Sequence, residues 1–270
     1  MNMEPIRETV RSYRDTMIPV TRVPADGEAD ALAVFVHGFK AERTEGGRFL
    51  TVALQLAKHG FDSIMMDQCG CGESTEPFDL YSIDTSMDDV EACIRAVLKP
   101  SHKRLVLVGY SMGGRVVSAY AALRKPVADT VVLWTAATHP VEEMKLFGTD
   151  DNGQPLYNEA MKNGYAVYHN LFDDTYIHLS KKFYEGLVNY DVVKYLSEYQ
   201  GNVLLCHGDK DDTVLPKFSI NAYNSLTTEK AKELVMIWDA NHGFGLWDDK
   251  MYQSDILTGK TTEFILKNKD

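Results

Sequence analysis

Residues 104–120 read RLVLVGYSMGGRVVSAY, and the rest of the chain can be understood around this stretch. Residues 105–108 form a continuous apolar run, half of it β-branched, which predicts a strand buried on both faces. From Met112 onward the apolar positions recur at helical spacing, which predicts a helix. Between the two lies Gly109-Tyr110-Ser111-Met112-Gly113, a G-x-S-x-G motif at a strand-to-helix junction.

This context favours Ser111 as a nucleophile. Flanking glycines permit a sharp, strained turn that exposes the serine, because nothing bulky crowds the backbone there. The N–H groups that begin the following helix point toward the place where negative charge would develop during attack. On the motif alone, a glycine-rich turn with an ordinary serine at the helix N-terminus stays an open alternative.

Composition narrows the class of protein. The chain has 270 residues, 44% of them apolar, which is enough for one sizeable core or one domain with an insertion. Its formal net charge of −11, without a Lys/Arg cluster, argues against nucleic acid and anionic membranes as partners. Residues 1–15 lack the apolar region of a signal peptide, and no apolar run is long enough to span a bilayer. We therefore expect a cytoplasmic protein.

The four cysteines do not suggest a metal site or a disulfide framework. Cys69 and Cys71 are too close for a structural disulfide with each other, and Cys93 and Cys206 complete no zinc-binding spacing. We interpret all four as free thiols in a reducing compartment, and we expect no metal.

Apolar runs of strand length alternate with amphipathic segments along most of the chain. This alternation predicts an α/β fold, a doubly wound, mostly parallel sheet whose strand ends carry the ligand site. Strands are predicted at 17–23, 31–36, 62–67, 105–108, 130–134, 203–206 and 234–238. Helices are predicted at 48–59, after a cap at Thr85-Ser86, after Ser111, at 217–226 and at 251–267.

The alternation stops between residues 137 and 197. We interpret this segment as an inserted, mainly helical cap, with 1–136 and 198–270 forming the core. Aromatic side chains are frequent in it; they form its own core or, for one or two of them, line an apolar substrate pocket. These residues are Phe147, Tyr157, Tyr165, Tyr168, Phe172, Tyr176, Phe183, Tyr184, Tyr190 and Tyr195.

A serine nucleophile needs a base, and His242 is the best placed of the eight histidines. It follows the last predicted strand and precedes a glycine. His37 and His207 also end strands beside glycine, and we expect them to support loops. The loop that begins at His37 can in addition present a backbone N–H beside the nucleophile.

The base needs an acid, and three carboxylates follow the penultimate strand: Asp209, Asp211 and Asp212. Each would give the chain order serine, acid, histidine that this strand arrangement requires. Spacing alone does not choose among them.

Taken together, these motifs and their order resemble the α/β-hydrolase superfamily, and the resemblance extends over nearly the whole chain. The matching motifs are His37-Gly38-Phe39, Asp67 with Gly70 and Gly72, residues 109–114, Gly208-x-x-Asp211-x-x-Val214, and His242-Gly243. The resemblance implies that Asp211 is the acid. It also implies an oxyanion hole formed by the backbone N–H groups of Phe39 and Met112, and chemistry without a metal or an organic cofactor.

Within the superfamily the chain looks most like bacterial feruloyl (cinnamoyl) esterases. It departs from them at Met112, where glutamine is frequent, and in the loop 68–72. The expected function is a serine carboxylesterase that hydrolyses small acyl or hydroxycinnamoyl esters through an acyl-enzyme. The alternatives are an acylglycerol lipase, a peptidase, a C–C hydrolase or a non-catalytic ligand-binding protein. A homodimer is an open alternative to a monomer.

Overall fold

The computed structural model describes residues 4–150, 152–170 and 174–269. The strands within those residues are β1 (Ile6–Arg11), β2 (Met17–Val23), β3 (Ala31–Val36), β4 (Phe61–Met66), β5 (Arg104–Tyr110), β6 (Thr130–Trp134), β7 (Tyr165–Asn170), β8 (Thr175–Ser180), β9 (Asn202–Gly208) and β10 (Lys232–Ile237).

The helices in the same part of the chain are α1 (Arg48–Ala57), α2 (Ile83–Val97), α3 (Met112–Leu123), α4 (Val141–Met144), α5 (Leu156–Asn163), α6 (Lys181–Asn189), α7 (Val192–Glu198), α8 (Pro216–Ser225) and α9 (Tyr252–Lys267). A short 3-10 helix spans Phe78–Leu80. No helix among the described residues is both long enough and apolar enough to cross a bilayer.

Eight strands form one sheet in the order β1-β2-β4-β3-β5-β6-β9-β10. The pairs β1–β2 and β2–β4 are antiparallel, and every other neighbouring pair is parallel. The prediction of a doubly wound, mostly parallel sheet is therefore confirmed. The central strand β5 lies between β3 and β6, so its carboxyl end, which carries Ser111, is in the middle of the sheet.

Strand β3 shows why the central strands are continuously apolar. Leu32, Val34 and Val36 point into a core shared with α2, α3 and the cap, while Ala33 and Phe35 point into a core shared with α1 and α9. Because both faces are covered, every position along the strand is buried.

Two features of the core differ from the sequence prediction. Strand β1 was not predicted, because as the edge strand it exposes most of its side chains and has no apolar pattern. Helix α2 begins before the predicted cap at Thr85-Ser86. Its N-cap is Ser82, whose hydroxyl accepts a 3.1 Å hydrogen bond from the N–H of Thr85, whereas Ser86 is buried inside the helix.

The segment between β6 and β9 contains α4 to α7 and a two-stranded hairpin, β7–β8. It is mainly helical, as expected. The hairpin was not predicted, because its strands are short and half exposed and therefore lack a continuous apolar run. Of the aromatic residues of the cap, Phe172 lies outside the described residues.

Candidate active site

Ser111 lies at the turn between β5 and α3 with φ 52° and ψ −116°. A non-glycine residue rarely adopts positive φ, so the backbone is strained at this residue, as a nucleophile elbow requires. The two motif glycines make the turn possible. A Cβ on Gly109 would lie 2.5 Å from the carbonyl oxygen of Gly113, and one on Gly113 would lie 2.1 Å from that of Val36.

The structure brings Ser111, His242 and Asp211 together. Nε2 of His242 lies 3.1 Å from Oγ of Ser111, and Nδ1 lies 2.7 Å from Oδ2 of Asp211. Since a carboxylate oxygen only accepts, Nδ1 carries the ring proton and donates a hydrogen bond to Asp211. The lone pair on Nε2 is then free to accept the hydroxyl proton of Ser111.

Asp211 is the carboxylate that reaches His242, whereas its neighbour Asp212 is exposed. Its Oδ1 accepts hydrogen bonds from the N–H groups of Thr213 and Val214, at 2.9 Å and 2.8 Å.

Burial alone would raise the pKa of Asp211. Hydrogen bonds from His207, His242 and Thr135 outweigh burial and hold the pKa of this carboxyl well below its usual range. Asp211 therefore stays ionised across the neutral range and can orient His242.

The expected oxyanion donors border the same cavity as Ser111. Phe39 follows β3 and Met112 begins α3, and both line the cavity. Among the described residues, neither backbone N–H is engaged by a hydrogen-bond acceptor. Both groups are thus available to a substrate oxygen held against Ser111.

His37 and His207 are completely buried behind the site. Nε2 of His37 accepts a 3.0 Å hydrogen bond from the N–H of Gln68, which ties together the loops after β3 and β4. Burial lowers the pKa of His37. His207, expected to support a loop, additionally has its Nε2 3.3 Å from Oδ2 of Asp211.

A buried pair, Glu45 and Arg48, connects two loops of the site. Oε2 of Glu45 accepts from the N–H of Gly38 at 3.0 Å, and Nη1 of Arg48 donates to the carbonyl of Gly243 at 2.8 Å. Burial raises the pKa of Glu45 to about 7, although the charge of Arg48 opposes this. Sequence reasoning did not identify this pair, because its partners are backbone groups from distant loops.

Arg115, one turn along α3 from Ser111, is also fully buried. Its guanidinium donates to the carbonyls of Ala137 and His139 after β6, at 3.0 Å and 3.3 Å, and to those of Leu187 and Tyr190 at the end of α6, at 2.6 Å and 2.8 Å. Arg115 therefore joins the segment between β6 and β9 to helix α3, which follows Ser111.

The cavity at Ser111 has a volume of about 720 Å³. Of the cap aromatics, Phe147 and Tyr168 line it, while Phe183 packs behind them and Tyr176 is exposed. Other apolar residues of the wall are Met144, Leu146, Leu246 and Trp247. Trp247 was not singled out from the sequence, although its place soon after His242 could have drawn attention to it.

No group of three or more His, Cys, Asp or Glu side chains within the described ranges is arranged to hold a metal ion. The chemistry that this arrangement can perform is attack by an activated serine hydroxyl on a carbonyl carbon.

Comparison with known families agrees with this geometry. The family model Hydrolase_4, described as serine aminopeptidase, S33, matches residues 27–164, just over half of the chain. The chain belongs to this hydrolase family. The predicted membership of the α/β-hydrolase superfamily is thereby confirmed.

Two relatives of the chain are distant from it in sequence. It is 26% identical over 266 residues to a bifunctional esterase/perhydrolase of Acinetobacter calcoaceticus, covering 86% of this chain and 92% of the relative. It is 32% identical over 105 residues to an AB hydrolase superfamily protein of Bacillus subtilis, covering 38% and 37%.

Among solved structures, Est1E from Butyrivibrio proteoclasticus with ferulic acid bound superposes with a TM-score of 0.79 at 18% identity, over 97% of this chain and 98% of that one. At this identity the likeness shows a shared fold.

Proposed function

We propose that this hydrolase is a serine carboxylesterase. Ser111 attacks the ester carbonyl, His242 takes the hydroxyl proton and returns it to the leaving alcohol, and Asp211 orients His242. The N–H groups of Phe39 and Met112 bind the oxyanion. The observation that carries this proposal is the hydrogen-bonded relay of 3.1 Å and 2.7 Å at the base of an open cavity.

The reaction proceeds in two stages. The first forms an acyl-Ser111 ester and releases the alcohol after protonation by His242. In the second, His242 removes a proton from water, which attacks the acyl carbonyl. The bond from the acyl carbon to Oγ of Ser111 then breaks, His242 returns the proton to Oγ, and the carboxylic acid leaves. Because Asp211 is held ionised, it stabilises the imidazolium of His242 in both stages.

We further propose that the acyl group is small or aromatic, of the hydroxycinnamoyl type. The rings of Phe39, Phe147 and Tyr168 contact one another, with centroids 5.3 Å, 5.9 Å and 5.6 Å apart, and form one wall of the cavity. A planar aromatic acyl group can pack against such a wall. Est1E, whose ligand is ferulic acid, supports the same assignment.

The cap is proposed to set this selectivity. We assign residues 137–197 to the cap and residues 1–136 and 198–270 to the catalytic core. The cap supplies Phe147 and Tyr168 to the cavity, whereas the relay comes entirely from the core. Changes in the cap should therefore alter substrate choice more than the chemical step.

The test is a panel of hydroxycinnamoyl, aryl and short- to long-chain acyl esters on the purified protein. We expect the highest kcat/KM on short-chain and hydroxycinnamoyl esters, and covalent labelling of Ser111 by a fluorophosphonate probe. A folded protein that hydrolyses no ester and takes up no probe would overturn the proposal. Preference for long-chain acylglycerols would leave the proposed roles of Ser111, His242 and Asp211 in place and would contradict the proposed substrate class.

A peptidase is the second candidate, because the family description names an aminopeptidase and Glu143 borders the cavity. A carboxylate there could hold the α-ammonium group of a peptide. Aminoacyl p-nitroanilides distinguish the two: hydrolysis that exceeds ester turnover and is lost in Glu143→Gln would favour the peptidase.

A further inference from the structure

Thr135, the residue directly after β6, has an unusual backbone. It is completely buried and has φ 41°, a conformation that is an outlier for a β-branched residue. Its N–H donates a 2.7 Å hydrogen bond to the carbonyl of Cys206, which holds the backbone in place. Strain of this kind persists where the surrounding structure enforces it, and it is concentrated at functional sites.

The hydroxyl of Thr135 meets the carboxylate of the relay. Oγ1 donates a hydrogen bond to Oδ2 of Asp211, the same oxygen that accepts from Nδ1 of His242. Two donors from different strand ends therefore converge on one oxygen.

The direction of this hydrogen bond is fixed by Asp211, because a carboxylate oxygen only accepts, and His207 lies beside both partners. Its Nε2 lies 2.7 Å from the carbonyl oxygen of Val214, which can only accept, so Nε2 carries a proton. The same Nε2 lies 3.0 Å from Oγ1 of Thr135. Nε2 of His207, Oγ1 of Thr135 and Oδ2 of Asp211 therefore form one buried cluster, in which the hydroxyl proton of Thr135 is directed to Asp211.

We propose that Thr135 is a positioning residue for the acid of the relay, holding the Asp211 carboxylate in the rotation that aligns His242 with Ser111. The inference rests on the proposed function of these three residues as a catalytic relay. It assigns the strained residue a role in catalysis rather than in packing.

The expected electrostatic effect has a definite sign. A hydroxyl that donates to Oδ2 withdraws negative charge from the oxygen that His242 contacts, so its removal favours the imidazolium form of His242. The titratable groups that act on this carboxylate or are acted on by it are His207, His242, Tyr110 and His139. A Thr135 variant leaves all four of these residues in place.

The activity test compares Thr135→Ser, Thr135→Ala and Thr135→Val. The serine and alanine variants differ by one hydroxyl, and valine keeps the shape of threonine without the hydroxyl. Thr135→Ser should turn over esters about tenfold faster than Thr135→Ala or Thr135→Val, because one hydrogen bond to a charged group is restored. In the latter two, the acid limb of kcat/KM should move to higher pH by roughly half a unit.

Thr138→Val is the matched control. Thr138 is also buried, at 1% exposure, and its hydroxyl has no hydrogen-bond partner among the described residues. Its substitution should leave turnover and the pH profile as in wild type. Equal turnover of the serine and alanine variants, measured at equal folded fraction, would overturn the role of Thr135 and leave the proposed function in place.

A second readout does not depend on turnover. In a Ser111→Ala background, the Nδ1 proton of His242 reports by NMR on its hydrogen bond to Oδ2 of Asp211. Its resonance should shift with Thr135→Val, because the hydroxyl that shares this oxygen is lost, and should stay constant with Thr138→Val. An unchanged resonance in Thr135→Val would overturn the inference, whether or not the wild-type protein hydrolyses esters.

Discussion

The hydroxyl of Tyr110 donates a 2.7 Å hydrogen bond to the main-chain carbonyl of His242. Tyr110 immediately precedes Ser111, so the bond connects the backbone of the turn at Ser111 directly to the loop that carries His242. Arg48 strengthens this connection, since its guanidinium lies 5.0 Å from the ring centroid of Tyr110 and donates to the next carbonyl, that of Gly243. The separation of Ser111 and His242 is thus maintained by contacts on the core side of the site.

Tyr110→Phe should therefore impair both stability and turnover. The substitution leaves a buried carbonyl without its donor, which costs about 1–3 kcal/mol of unfolding free energy. It also frees the His242 loop, so kcat should fall by about tenfold while KM changes little. Urea unfolding and ester kinetics measure the two effects. Full activity at reduced stability would show that the bond does not position His242.

Asp211→Asn should nearly abolish turnover. An amide can present its NH₂ to Nδ1 of His242, which favours the tautomer that cannot accept the serine proton, and such a change costs about 10⁴-fold in kcat where it has been made in a serine hydrolase. Asp212→Asn is the matched control, because Asp212 is adjacent and exposed. Equal kinetics of the two variants would exclude Asp211 as the acid.

Glu45 should make stability depend on pH. Its pKa is raised by burial to about 7 from an ordinary value of 4.5, so its contribution to stability is present below pH 4.5 and is lost as the pH rises through 7. The loss is about 3 kcal/mol at 1.36 kcal/mol per pKa unit. Glu45→Gln lacks this loss. Its free energy of unfolding, measured in urea, should therefore rise relative to that of wild type between pH 5 and pH 8.

Glu42, three residues away, provides a control of opposite sign. Burial pushes its pKa upward, but hydrogen bonds from Thr44 and from the N–H of Gly46 outweigh burial and lower the pKa. Its stabilisation is present above the unfolded pKa and lost in acid, so Glu42→Gln should be least stable relative to wild type at pH 8. A pH-independent difference between Glu45→Gln and wild type would contradict the assignment for Glu45.

Phe147→Ala should change substrate choice. Phe147 contacts Phe39, Tyr168 and Phe183 on the cap side of the cavity. Removing its ring should lower kcat/KM for hydroxycinnamoyl esters by about 10- to 100-fold and leave kcat/KM for acetyl esters unchanged. A loss of that size corresponds to the free energy of burying one large apolar side chain. Tyr176→Ala, an exposed cap aromatic, is the control. An equal loss on all esters would mean that Phe147 supports the fold only.

The fold was largely predictable because its central strands are covered on both faces. Residues 105–108 and 31–36 had to be apolar at every position, and that requirement is visible in the sequence. Strand β1 and the hairpin β7–β8 have exposed faces and no such requirement. Their existence depends on neighbours brought together by the fold.

The site was predictable only in part, for a similar reason. The motif around Ser111 and the position of His242 follow from local sequence at strand ends. Asp211 was separated from Asp209 and Asp212 only by resemblance to a family, since all three follow the same strand. The contact of Thr135 with Asp211 depends on a positive φ and on a neighbouring strand end, neither of which a single threonine indicates.

The central claim is that Ser111 is the nucleophile of an ester hydrolase. Ester turnover by Ser111→Ala, compared with wild type at equal folded fraction, tests it most directly. The removal of a serine nucleophile that acts with a base lowers kcat by at least about a thousandfold, and we expect a loss of that size with unchanged unfolding. Turnover by Ser111→Ala equal to that of wild type would contradict the claim.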